Sequence, residues 1–306
     1  MKKSLLSLAI AVVIALSSTC FAATTLKFNL EKGKSYKVKT TSQQTIAMTV
    51  NGMQMNMEIK NISVTSLSPK SLEKDYFIAQ VKFDSIVNDM SMPQGTMKMN
   101  SNKPGDPKNP MEVGGFAMFH LCKNPLEVKL SYSGKVLEIV NIKAINDSLN
   151  KVIDTLSEPT KGQLKSVIEM MASESALKSM IEVLTAYLPE KAVDKGDKWE
   201  SKTILKPSGM EFQVITNYKL KSITVNQAEL SGDAVIESSA DGTMNMNGMK
   251  IPYEMRGISS SESTIDPQTG WVIKGKSKSK LQGSMTFGGN ASPMEINGTS
   301  EIEAIK

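Results

Sequence analysis

Three soft metal ligands fall within five residues at Met118-Phe119-His120-Leu121-Cys122. On a strand, Met118, His120 and Cys122 would share one face and could hold copper or zinc. On a helix, Met118 and Cys122 would pair while His120 turned away. Gly114-Gly115 before the stretch and Lys123-Asn124-Pro125 after it suit a short helical turn between loops, so the plainer reading is a packed segment.

Methionine is the compositional outlier, with 21 residues. Many stand on alternate positions: Met53, Met55, Met57; Met90, Met92; Met97, Met99; Met244, Met246; and Met249 with Ile251, Tyr253 and Met255. Strands ordinarily take Val, Ile or aromatics. A strand face of unbranched, polarizable thioethers adapts to irregular or changing apolar partners. Three readings compete: core filling, an adaptable apolar groove, and a thioether copper(I) site. The groove reading makes Met53, Met55, Met57, Met97, Met99, Met244, Met246, Met249 and Met255 ligand-facing. Its partner would be a hydrophobic small molecule or an envelope protein segment.

Enzyme templates fail. One histidine leaves no His-His metal pair and a single triad base. His-Glu-x-x-His, Gly-x-Ser-x-Gly and a phosphate-cradling glycine loop are all absent from the sequence. Acids are plentiful, so a carboxylate pair for glycoside hydrolysis stays open, yet aromatics make up only 5%. The reading is non-enzymatic, with no cofactor. Arg256 is the single arginine and the lysines are spread among comparable numbers of acids. That argues against nucleic acid, whose recognition leans on guanidinium forks and aromatic stacking.

The elements that would position these side chains fall into three zones. Residues 24–142 read as strands: Leu26, Phe28 and Leu30 alternate, Lys32-Gly33-Lys34 is a turn, and Asn51-Gly52 is a hairpin signal followed by the first Met ladder. Residues 143–190 read as a helical insert. Apolar residues recur at three and four through Ile145, Leu149, Val152 and Ile153, then Leu164, Val167 and Ile168, then Leu177, Ile181 and Leu184. Thr160 and Ser173 are the expected caps. Residues 191–306 are strands again. The expected fold is therefore mainly β with a helical insert (α+β): an antiparallel, curved or half-open sheet with helices packed on it.

The two β-rich zones look related. Lys32-Gly33-Lys34-Ser35-Tyr36 matches Lys195-Gly196-Asp197-Lys198-Trp199, Gly95-Thr96-Met97 matches Gly242-Thr243-Met244, and Gly134-Lys135-Val136 matches Gly270-Trp271-Val272, all in the same order. That predicts two duplicated β halves flanking three helices. Lys32-Gly33-x-x-Tyr36, Asn51-Gly52-Met53-x-Met55-x-Met57, the mid-chain helices, Lys195-Gly196-Asp197-Lys198-Trp199 and Thr269-Gly270-Trp271 together resemble an exported, Met-rich bacterial family catalogued only as a domain of unknown function. The resemblance implies export and fold and brings no activity or site residues with it.

Residues 1–23 read as a secretory signal. Lys2 and Lys3 precede an apolar run over 5–16, and small residues lead to Ala22-Ala23. The run is too short for the ~20 residues a spanning helix needs, and no later stretch is longer. The expected destination is the periplasm, outer envelope or exterior. A lipid anchor at Cys20 would lack the usual Leu and Gly/Ala at Ser17 and Thr19. The mature part keeps one cysteine, Cys122, so its stability rests on a core rather than on an internal disulfide.

Overall fold

The computed structural model describes residues 23–306 except 51, 94, 110, 247 and 248. The signal segment and Cys20 lie outside the described residues. The order is β1 (Tyr36–Val50), β2 (Met53–Leu72), β3 (Tyr76–Met92), β4 (Gly95–Asn100), α1 (Val113–Cys122), β5 (Leu126–Ser131), β6 (Val136–Ile139), α2 (Ile142–Ile153), α3 (Thr160–Ala172), α4 (Glu174–Thr185), β7 (Lys198–Leu205), β8 (Phe212–Ile223), β9 (Ala228–Ser238), β10 (Thr243–Met246), β11 (Met249–Ile265), β12 (Val272–Phe287) and β13 (Asn290–Ile305).

All the strands join one open antiparallel sheet, in the order β6-β5-β3-β2-β1-β13-β12-β11-β9-β8-β7, with β4 paired to β3 and β10 to β11. The chain builds outward from the centre to one edge, crosses through the helices, and builds back from the other edge until β13 meets β1. Period two then sorts the side chains. In the central strands one face takes Lys39, Lys274, Lys276, Lys278, Lys280, Glu262, Glu301 and Glu303. The other takes Ser42, Gln44, Ile46 and Met48 with their cross-strand partners. The helices lie on the side of the second set, which is therefore the inner face.

Two apolar clusters occupy opposite ends of the inner face. The larger joins Phe77, Leu126, Leu130, Leu149, Leu164, Leu177, Ile181 and Trp271 beneath the helices. The smaller joins Phe212, Ile236, Met244, Tyr253, Met255, Met285 and Met294. Leu26, Phe28 and Leu30 are buried in the larger cluster as expected, but they form a strap rather than a strand. The Phe28 N–H donates to Tyr132 O and the Asn29 N–H to Thr269 O, two different elements, so no ladder propagates. One isolated bridge, Thr24 with Val193, anchors the strap's start.

The helices correct two expectations. α1 runs ten residues, longer than a turn. The small Gly114 and Gly115 let it lie close over Met99, whose Sδ would sit 2.6 Å from a Cβ at Gly114. At α3, Thr160 is the first helical residue and its side chain makes no cap. The Gly162 N–H instead donates to Glu158 Oε2 at 3.2 Å. Ser173 does cap α4, accepting from the Ala176 N–H.

Gly134 sits at φ +92°, and a Cβ there would overlap the Thr185 carbonyl and stand 2.8 Å from the Phe28 ring. Gly134→Ala adds left-handed backbone strain to that overlap, so it should lower stability by about 2–4 kcal/mol. Chemical denaturation checks this; an unchanged midpoint contradicts the packing described.

Candidate functional site

The site begins with α4, which lies between the two sheet edges. Toward β6, the Val136 N–H donates to Glu182 Oε1 at 2.9 Å and the Thr185 hydroxyl donates to Gly134 O at 2.6 Å. Toward β7, the Lys206 N–H donates to the Ser179 hydroxyl at 3.1 Å, and the Ser201 hydroxyl donates to Ala186 O at 2.8 Å just past the helix. Tyr187, just past the helix, ties β7 to the turn before β12. The Trp199 indole donates to Tyr187 O at 3.1 Å, and the Tyr187 hydroxyl donates to Gly270 O at 2.7 Å. Burial pushes the Tyr187 hydroxyl far above its ordinary pKa.

Beneath α4 the inner face carries small side chains. Cross-strand register aligns Thr40, Ile302, Gly275 and Ser263 in one row, and Ser42, Ser300, Ser277 and Ser261 in the next. Over them stand Val183, Leu184 and Tyr187, with Tyr218 as a side wall. Short floor residues under a fixed roof leave a cavity of about 160 Å³. Val183, 60% exposed, borders it. Trp199 stacks on Tyr218 with ring centroids 5.8 Å apart.

Farther along the same face the rows turn apolar. Met57, Ile46, Ile296 and Leu281 align across β2, β1, β13 and β12, and Met55, Met48 and Met294 align in the next row. On β3 and β4, Met90 and Met97 pair, with Met90 also opposite Ile59. All of these are half-buried except Met294, which is buried.

The proposed ligand-facing methionines therefore meet different fates. Met55, Met57 and Met97 share this half-buried face, and Met99 lies under α1. Met255 (1% exposed) and Met244 are packed into the smaller cluster. Met53 (69%) and Met249 (63%), on hairpin shoulders, face solvent. The side chain of Met246 lies outside the described residues. Met118 and Cys122 point into the core, while His120 leaves their face and contacts the Phe116 and Phe119 rings. The three are not assembled, because α1 is a helix. Burial lowers the His120 pKa, helped by Lys123, and burial raises that of the Cys122 thiol. Among the described residues no group of three His, Cys, Asp or Glu side chains could hold a metal ion, and no helix is long and apolar enough to cross a membrane.

Sequence reasoning passed over the serine rows. Their signal was present in Lys274-Gly275-Lys276-Ser277-Lys278-Ser279-Lys280, where strict alternation sets small residues on the face opposite the lysines.

A profile described as a family of unknown function (DUF6263) matches residues 74–272. The chain belongs to that family. Within this DUF6263 chain the match runs from the turn before β3 through the helices to the first residue of β12. No curated protein matches it in sequence. Among solved structures it is similar to lipovitellin, at 11% identity and a TM-score of 0.46, over 90% of this chain. The DUF6263 chain spans 25% of that much longer protein. It is also similar to an outer membrane channel from Pseudomonas putida F1, at 7% identity and a TM-score of 0.27, over 91% of this chain and 98% of that one. A third likeness is to the translocator domain of the autotransporter NalP from Neisseria meningitidis, at 7% identity and a TM-score of 0.19, over 96% and 94%.

Glu182 carries the testable electrostatics. Burial raises its pKa from 4.5, opposed by the Val136 N–H and then by Lys135 and Lys178. The folded state thus holds this proton more tightly than the unfolded chain. The resulting stabilisation is full below pH 4.5 and is lost as pH rises through the raised value. Glu182→Gln keeps the oxygen acceptor and removes the titration. Its melting temperature should fall less than that of the parent protein between pH 4.5 and 7; parallel pH profiles contradict the assignment.

Proposed function

We propose that this is an exported, non-enzymatic binding protein that receives an apolar or amphipathic partner on the inner face of its sheet. The observation that carries the reading is the band of half-buried Met48, Met55, Met57, Met90, Met97, Ile46 and Ile59, continuous across four strands beside a closed core. Contiguous apolar surface of this kind marks interaction sites, and thioethers follow the shape of varied partners. The layout of residues 1–23 supports export. The order of strands supports the duplication: β1, β2, β3, β5 and β6 are neighbours in that order, as are β7, β8, β9, β11 and β12, and β13 lies between the two sets, while the short β4 and β10 pair at different places, with β3 and with β11.

Nile red, an uncharged apolar dye, should brighten saturably with the protein and be displaced by long-chain amphiphiles. The double variant Met57→Asp, Met90→Asp puts two charges on the band and should weaken dye binding by about tenfold or more. Dye that ignores the parent protein, or binds the variant equally, overturns the reading.

A further inference from the structure

The apolar band and the cavity beneath α4 lie on one face of the same long strands, and the residues between them set the chemistry of a shared ligand. Along β1 the inner side chains run Thr40, Ser42, Gln44, Ile46, Met48. Along β13 they run Ile302, Ser300, Gly298, Ile296, Met294, and along β12 Gly275, Ser277, Ser279, Leu281, Gly283. Three two-residue steps separate the Ser42–Ser300–Ser277 row from the Met48–Met294 row, about 20 Å at the usual strand rise. That is the scale of an extended long acyl chain. The surface thus grades from hydroxyls to thioethers along the strand direction, as the two ends of an amphiphile would require.

The same rows exclude charge. None of these inner positions on β1, β12 or β13 is ionisable, nor are Gly257, Ser259, Ser261 and Ser263 beside them on β11. Glu262 and Lys276 also border the cavity. Their register, though, sends their side chains to the opposite face. There Lys276 pairs with Glu262 at 3.2 Å and Lys221 joins at 3.3 Å. A carboxylate or ammonium drawn under α4 would be desolvated without a counter-charge, which is costly. Hydroxyl groups fit, because serine both donates and accepts. Ser261 donates to Gly232 O at 3.3 Å. Among the described residues, Ser277 and Ser300 show no side-chain hydrogen bond to protein. A 160 Å³ cavity has the room of about five waters, the size of a small polyol head rather than a sugar chain.

We infer that the cavity beneath α4 is a headgroup site for an uncharged, hydroxyl-bearing amphiphile such as a monoacylglycerol, its tail lying along the Met band. This rests on the apolar band being a binding surface, and it adds the class of ligand.

The test displaces Nile red from the full mature protein with three amphiphiles of equal chain length: monolauroylglycerol, laurate and dodecyltrimethylammonium. The glycerol ester should act at a concentration about tenfold lower than either ion. The variant Ser277→Ala, Ser300→Ala should shrink that preference to about threefold or less while Nile red affinity is unchanged. Ser277→Leu, which fills the cavity, should do the same; melting curves show that both variants are folded. Equal displacement by all three, a preference for either ion, no displacement by any, or a preference untouched by the variants overturns the headgroup assignment. Failure of Nile red to bind at all is a different result, and it removes the binding surface itself.

Discussion

An open sheet has two edges whose backbone N–H and C=O groups need partners, and an exposed edge invites pairing with other chains. Here both edges are met by one helix. α4 takes the Val136 N–H on the half-buried Glu182 carboxylate and gives the Thr185 hydroxyl to Gly134 O at the β6 side, and its Ser179 hydroxyl accepts the Lys206 N–H at the β7 side. The helix stands where further strands would close a barrel, and it makes side-chain bonds where strands would make ladder bonds. The cavity depends on that substitution. A helix is thicker than a strand and presents Val183 and Leu184 rather than a backbone ladder, so it roofs the small floor residues without filling the space above them.

The sheet keeps its two faces chemically separate. Lys274, Lys276, Lys278 and Lys280 all project from one side of β12, and glutamates on the neighbouring strands pair with two of them, Glu262 on β11 with Lys276 and Glu295 on β13 with Lys280. Exposed pairs of this sort add little stability. Their consequence lies in what they leave behind: an inner face on which the central strands carry hydroxyls, glycines, the Gln44 amide and apolar groups and no acidic or basic side chain. One apolar end packs against the helices and the other forms the cluster of β8 to β13, leaving the hydroxyl rows between.

Methionine serves two purposes on that face. In the second half, Met244, Met255, Met285 and Met294 join Phe212 and Tyr253 in a closed core. There the flexible thioether fills an irregular space, and Gly283 is small enough to sit with Met255 Sδ 2.8 Å from where its Cβ would be. In the first half Met55, Met57 and Met90 belong to neither buried cluster and stay half-buried. Similar ladders thus became interior or half-buried according to what packs against them.

The sequence by itself determined the alternation of strands, the helical segment between two β-rich runs, the Ser173 cap, and the division of charge and apolar residues between faces, because each follows from a period of two or 3.6 within one element. The ladder at 53–57 and the Lys-Ser alternation at 274–280 show how far that reaches: they fix which residues share a face. Only the tertiary structure decided which face was covered. Whether Met255 is core and Met57 half-buried depends on which other elements pack there, Phe212, Ile236 and Met285 in the case of Met255, and whether Leu26–Leu30 pairs as a strand depends on Tyr132 and Thr269, more than a hundred residues away in the chain. The bonds from α4 to two edges set by different segments are likewise nonlocal. Contacts of that kind are selected by the packing of the whole chain, and no local period encodes them.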